Sequence, residues 1–198
     1  MASDVALCMI VKDEPAERLA MLVEYVKPVV SHVVIADTGS KKNETELYRT
    51  WGVDAYDYDW RDDFSAARNS TLDRLGESVE WVLHLDADEL PSWEMMKHLM
   101  WIKESGPKHV KGYQVFTTNF WGGERGIEVP AHWHVRLFRR KHGRWYKKVH
   151  EQVMIDGKME HQAGRALEKM AKQAYLIHSK PAERLDESAK LYSKIGEK

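Results

Sequence analysis

The sequence predicts an α/β domain of Rossmann-like type, a mostly parallel sheet flanked by helices. Three observations point there. Short apolar, β-branched runs alternate with segments of helical periodicity through residue 90. Most of these runs stop at polar, acid-rich breaks, as strands do where a parallel sheet presents its ligand edge. The 198 residues, 43% of them hydrophobic, are enough to bury one sizeable core and too few for a second full domain.

The elements follow in order. Val5 to Val11 reads as a first strand that stops at Lys12-Asp13-Glu14-Pro15, where proline opens a helix. Leu19, Leu22, Val23 and Val26 share one face of that helix, which ends before Pro28. Val29 to Ala36 is a second strand, broken by Asp37-Thr38-Gly39-Ser40. A short helix over 44–51, a third strand from Val53 to Tyr58 and a helix from Phe64 to Leu75 come next. Trp81 to Leu85 forms a buried strand that runs into Asp86-Ala87-Asp88-Glu89. Beyond Pro91 the pattern changes to a helix over 93–103 and strands of mixed orientation at 112–119 and 133–139, with Trp121-Gly122-Gly123 as the turn between them. Further strands are expected within 143–154 and at 174–178, and 181–198 reads as an amphipathic tail helix. The chain therefore divides into a main body over 1–180, with halves 1–90 and 91–180, and a tail over 181–198.

Thirty Lys and Arg against 31 Asp and Glu leave a formal charge of −1, so no overall pull toward nucleic acid is implied. The single cysteine, Cys8, excludes an intramolecular disulfide and lies in an apolar run, as a packed structural thiol does. No signal-peptide pattern opens the chain and no apolar stretch of about 18 residues is present. The expectation is a soluble, cytoplasmic protein without an integral membrane segment. Eight tryptophans and eight tyrosines, several among polar neighbours, suit either core packing or sugar-facing loops.

The strand end at Asp86-Ala87-Asp88-Glu89 places three carboxylates within four positions. Residues two apart on an extended strand share a face, so Asp86 and Asp88 are expected to reach one site, where oxygen ligands suit Mg²⁺ or Mn²⁺. Three other segments follow strands or open helices in the same half: Lys12-Asp13-Glu14, Asp37-Thr38-Gly39-Ser40 and Phe64-Ser65-Ala66-Ala67-Arg68-Asn69. The second half carries a basic run of Arg136, Arg139, Arg140, Lys141, Arg144, Lys147 and Lys148, which ends at His150-Glu151.

Taken together these segments resemble the motifs of inverting family 2 glycosyltransferases with the GT-A fold, in particular a bacterial and phage subgroup. The likeness continues through Arg136-Leu137-Phe138-Arg139, Val149-His150-Glu151 and the later His178. The resemblance implies a metal-dependent transfer of a sugar from a nucleotide donor to a hydroxyl or other nucleophile. It implies that Glu14 and Asp37 hold ribose or base, as acceptor-only carboxylates suited to hydroxyl and N–H donors. It places Arg68 close to the diphosphate, a task that fits a planar guanidinium. Asp86 and Asp88 become a D-x-D site, with Asp86 on the nucleotide sugar, Asp88 as direct metal ligand and His178 completing the site. Glu151 and Glu89 are the candidates for the base that takes the acceptor's proton.

One departure concerns the donor. Family members continue the second motif with a second acidic residue, whereas Ser40 is followed here by Lys41 and Lys42. A UDP-sugar is the expected donor, and the acceptor is open among glycan, lipid, protein and modified nucleic-acid base. A homodimer through the tail helix and a tail packed on its own domain both fit its apolar stripe. Two other readings are a nucleotidyltransferase, against which the glycine-free first loop Val11-Lys12-Asp13-Glu14 speaks, and a non-catalytic glycan- or partner-binding module on the same fold.

Overall fold

The computed structural model describes residues 4–42, 44–121, 127–180 and 190–195. Among them nine strands form one sheet in the order β3-β2-β1-β4-β7-β6-β11-β5, with β10 against β6. The first four are β1 (Asp4–Val11), β2 (His32–Asp37), β3 (Asp54–Asp57) and β4 (Val79–His84), mutually parallel. Helices α1 (Ala16–Val26), α2 (Thr45–Thr50) and α3 (Phe64–Asp73) make the crossovers between them. Strand order reverses between β1 and β4, and such a switch point opens a crevice at the carboxyl ends of the strands.

The two faces of the parallel half are packed differently. Val5, Leu7, Met9 and Val11 of β1 join α1, Tyr48 of α2 and α4 (Trp93–Ser105) in one core cluster. Ala6 and Cys8 face α3 through Leu72 and Leu75, in a second cluster that includes Phe138 and Trp145. Period-two alternation on a strand buried on both faces accounts for this division. Cys8 is fully buried, and burial pushes its thiol up to about 12, as expected for a packed rather than reactive cysteine.

The second half is mixed. Strand β7 (Ile127–Arg139) runs antiparallel to both β4 and β6 (Gly112–Trp121), while β11 (Tyr175–Lys180) runs parallel to β6. The short β5 (Glu89–Pro91) lies antiparallel to β11, and β10 (Leu167–Lys169) lies parallel to β6. A hairpin of β8 (Gly143–Tyr146) and β9 (Gln152–Ile155) packs beside α3. Two single 3₁₀ turns, Glu160–Gln162 and Gly164–Ala166, lead to β10.

Several boundaries differ from the sequence reading for local reasons. Val29 and Val30 are buried but not extended, because their N–H groups close onto the Val26 carbonyl as the last turn of α1. Strand β4 stops at His84, so Asp86 and Asp88 lie in a turn closed by the Glu89 N–H on the Asp86 carbonyl. The strand expected within 143–154 is a two-stranded hairpin, and β5 and β10, three residues each, carried no pattern that distinguishes them from loop. Of the tail, 190–195 is helical and Ile195 is buried, so it packs on its own domain; 181–189, 196–198 and the turn at Gly122-Gly123 lie outside the described residues.

Gly143 is the tightest glycine among the described residues. A Cβ there would overlap the ring of Phe138, which is fully buried in the second cluster. Gly143→Ala is expected to lower stability by about 1–3 kcal/mol in chemical unfolding with an unchanged denaturant slope, the cost of overpacking a filled core.

Candidate functional site

The loops after β1 and β2 are built as one unit. Thr38 Oγ1 donates to the Val11 carbonyl at 3.0 Å, the Asp13 N–H donates to Ser40 Oγ at 2.8 Å, and the Lys41 N–H donates to Asp13 Oδ1 at 2.7 Å. Gly39 takes φ 108°, a region that side chains rarely enter. Asp37 is 3% exposed; its Oδ1 accepts from the Gly39 and Ser40 N–H groups, while Oδ2 is buried with no partner among the described residues. One oxygen therefore caps the turn and the other is left for a donor from outside. Asp37, Gly39, Ser40, Asp57 and Tyr58 line a pocket of about 240 Å³. Glu14 lies outside that lining, on the side of Tyr48, whose phenol pKa is raised first by burial and then by Glu44, Asp37 and Glu14.

A larger cavity, about 330 Å³, opens at the junction of α3, the β4–β5 turn, β6, β7 and the hairpin. Its floor is a cluster of buried charges. Arg68 Nη2 sits 2.8 Å from Asp86 Oδ1 and 2.9 Å from Glu151 Oε1. Arg136 Nη2 sits 2.9 Å from Asp86 Oδ2 and also pairs with Glu89 Oε1, while Glu89 Oε2 accepts the Asp86 N–H at 3.0 Å. Burial alone would raise Asp86, but the two guanidiniums hold its carboxyl well below the usual range. Glu89 goes the other way, since burial outweighs Arg136 and raises it. His84 Nδ1 lies 2.9 Å from Arg68 Nη1; burial and then that cation push the imidazole well down, so it is neutral and accepts from the guanidinium.

The helix and the hairpin are aimed by their own sequence. Asp63 caps α3 by accepting the Ala66 N–H at 2.9 Å. One residue past Arg68, Asn69 makes reciprocal bonds of 3.0 Å with the backbone of Trp145. The Phe64 N–H and Ser65 hydroxyl hold the Lys148 and Lys147 carbonyls. Lys147 and His150 have φ of 75° and 51°, so the turn that carries Glu151 is strained and fastened onto the start of α3. Glu151 Oε1 is taken by Arg68, and Oε2 has no hydrogen-bond partner among the described residues.

Asp88 faces a different partner. His178 Nε2 lies 3.2 Å from Asp88 Oδ2, and His178 Nδ1 lies 2.9 Å from Asn119 Oδ1. The Asn119 side-chain carbonyl holds the proton on Nδ1 and turns Nε2 toward Asp88, as the outer hydrogen bond of a metal-binding histidine fixes its ring. Burial opposes protonation of His178, yet the hydrogen bond and charge of Asp88 raise it overall. Two donor atoms 3.2 Å apart match neighbouring ligands on an octahedral divalent ion with bonds of about 2.1 Å. Among the described residues no group of three or more His, Cys, Asp or Glu is arranged to hold an ion. Among the described residues the pair stands alone, so an ion held there would take its remaining ligands from elsewhere, substrate and water included.

The expected residues are therefore brought together in part. Arg68, Asp86, Glu89, Glu151 and His178 line one cavity, Asp37 lines another, and Asp86 and Asp88 do not share a partner. The turn at 86–88 breaks the period-two argument that paired them. Arg68, expected at the diphosphate, pairs with Asp86 and Glu151. The basic run is not one surface: Arg136 enters the cluster, Arg139 lies over the Trp81 ring, and Lys141, Arg144, Lys147 and Lys148 are exposed. Sequence reasoning missed His84, Asn119, His132, His134 and Tyr192. The spacing of His132 and His134 with Arg136 on β7 was a signal for two of these, since every second residue shares a face. Tyr192, from the tail, lines the cavity and stacks on His150 at 5.5 Å between ring centroids.

No family model matches the chain. A TPR repeat-containing protein of Synechococcus elongatus is 39% identical over 98 residues, a match that covers 48% of this chain and 24% of that protein. The chain thus spans about a quarter of the curated relative. Among solved structures, glucosyl-3-phosphoglycerate synthase from Mycobacterium tuberculosis in complex with Mn²⁺, UDP-glucose and phosphoglyceric acid is 15% identical. That match covers 62% of this chain and 45% of the enzyme, with a TM-score of 0.44. Mannosyl-3-phosphoglycerate synthase from Rubrobacter xylanophilus is 14% identical, covering 60% and 40%, with a TM-score of 0.44.

The buried cluster makes a testable demand on stability. Arg136→Leu leaves Glu89, 2% exposed, without its counter-charge and should cost about 3–5 kcal/mol. Adding Glu89→Gln should recover most of the loss in a double-mutant cycle of unfolding free energies. Additive losses would mean that the pair is not coupled.

Proposed function

We propose that the protein is a metal-dependent glycosyltransferase of GT-A type that moves a sugar from a nucleotide donor to an acceptor nucleophile with inversion. The observation that carries this reading is the cavity itself, where Glu151, with one carboxylate oxygen unengaged among the described residues, shares the wall with His178 of the Asp88 pair. Asp37 supports it from the β2 loop, as a buried acceptor for a ribose hydroxyl or base N–H.

In this reading a nucleoside sits against Asp37 with Glu14 nearby, and Asp88 and His178 hold a divalent ion, Mn²⁺ suiting an imidazole ligand better than Mg²⁺. When bound, the ion offsets the charge that builds on the departing nucleoside diphosphate. Glu151 is the base. Its Oε1 is fixed by Arg68, and its Oε2 takes the acceptor hydroxyl's proton as that oxygen bonds to the anomeric carbon and the bond to the diphosphate breaks on the opposite face. Glu89 suits the role less, because Arg136 and the Asp86 N–H occupy its two oxygens; it anchors Arg136 instead. Asp86 is likewise committed to Arg68 and Arg136, so it orders the site rather than the nucleotide sugar. Arg68 acts chiefly on Glu151 and Asp86, with its diphosphate role secondary.

Calorimetric titration with UDP, GDP and CDP, each with and without Mn²⁺, tests the donor side. One nucleotide should bind only with metal, and Asp88→Ala should abolish that binding while the thermal unfolding curve is kept; no binding of any nucleotide with metal present would sink the reading. Glu151→Gln should lower kcat for transfer by about 10²–10⁴-fold with nucleotide affinity unchanged. An equal loss in nucleotide affinity would place Glu151 on the donor instead.

A further inference from the structure

The larger cavity carries an imbalance of charge that bears on what it admits. Its charged lining, the Asp88-paired His178 aside, consists of two guanidiniums, Arg68 and Arg136, and four carboxylates, Asp86, Glu89, Glu151 and Glu160. The three carboxylates of the floor already engage both cations. Glu160 approaches from the 3₁₀ turn, where Gln114 Nε2 donates to it at 2.9 Å and the Val135 N–H at 3.4 Å. His132 and His134 stand 4.6 Å apart between ring centroids, and burial followed by the charge of Arg136 lowers both, so they add no cation at neutral pH. A divalent ion at Asp88 and His178 would be matched to the donor's diphosphate, which leaves the excess on the remaining wall unchanged.

Apart from the Arg136 Nε–H, buried without a partner among the described residues, the lining groups with hydrogen-bonding capacity left over are carboxylate oxygens and uncharged donors and acceptors. Glu151 Oε2, the Gln152 amide, the His132 imidazole and the Tyr192 phenol offer acceptors and neutral donors, and Trp133 and Tyr192 add aromatic surface. Hydroxyl groups can satisfy such a wall in both directions, donating to carboxylate and imidazole and accepting from amide and phenol. A phosphate or carboxylate on the incoming molecule would meet like charge in a half-enclosed site whose cations are already paired.

We propose that this cavity receives the acceptor as an uncharged, polyhydroxylated ring, a sugar residue bearing no phosphate or carboxylate beside the reacting hydroxyl. The inference rests on the transferase reading and names the substrate class of its second site. Glu160 is its selectivity residue: it touches none of the reacting groups, and its charge raises the carboxylate excess of the lining from one to two.

Saturation-transfer NMR tests it with methyl glycosides of glucose, galactose and mannose and with the 6-phosphates of the same hexoses, on the protein alone and with Mg²⁺ and UDP. At least one neutral glycoside should draw saturation, with its phosphorylated counterpart about ten-fold weaker or more. Glu160→Gln should narrow that gap while thermal unfolding and nucleotide binding stay unchanged. A phosphorylated hexose bound as tightly as its neutral form, or no saturation of any neutral glycoside, overturns the proposal. Nucleotide binding separates the two failures: metal-dependent binding that persists leaves the transferase reading standing without this acceptor, and its loss removes the reading itself.

Discussion

Two guanidiniums and three carboxylates in the floor of the larger cavity hold the functional half of this molecule together. Arg68 comes from α3, Asp86 and Glu89 from the turn after β4 and the start of β5, Arg136 from β7 and Glu151 from the turn before the hairpin's second strand. Four separate pieces of chain are thus tied at one point. Buried ion pairs return little net stability against a hydrophobic alternative, because desolvation cancels most of the attraction. What they supply is geometry, since each charge tolerates burial only while its partners stay within hydrogen-bonding distance. The position of Glu151 is therefore a consequence of charge neutralisation in the protein interior.

The same constraint divides labour among residues of one chemical type. Glu89 and Glu151 are both glutamates beside arginines, yet among the described residues Glu89 has both oxygens engaged and Glu151 only one. Asp86 and Asp88 stand two residues apart, yet one is locked between cations and the other meets His178. Asp37 shows the distinction within a single side chain, one oxygen closing its own turn and the other buried without a partner among the described residues. An atom's engagement by its neighbours decides its role here more than the residue type.

The supporting elements serve placement. Parallel strands bring the loops after β1, β2 and β4 to one edge, where the switch in strand order leaves a crevice. The antiparallel β6–β7 pair then sets Thr117, His132, His134 and Arg136 across from that edge. Strained backbone at Lys147 and His150 is held by α3 through bonds to the Lys147 and Lys148 carbonyls, so the turn before Glu151 is dictated from outside itself. Tyr192 closes one wall, which makes the tail helix part of the site and not an appendage.

The parallel half was legible in the sequence residue by residue, because apolar runs and helical periodicity are local signals that burial on both faces reinforces. The likeness to a known series of motifs, and no local periodicity, singled out Arg68, Asp86, Glu89, Glu151 and His178 as candidates for one site. Tertiary structure alone decided which of them touch. The pairing of Asp88 with His178 joins a turn to a strand 90 residues later. Asn119, His84 and Tyr192 lie in segments whose local pattern reads as plain strand or tail, and they become part of the site only when pairing and packing set them against it. The turn at 86–88 escaped the sequence for the same reason, since a carboxylate's direction after a strand is set by the charges that arrive from elsewhere in the chain.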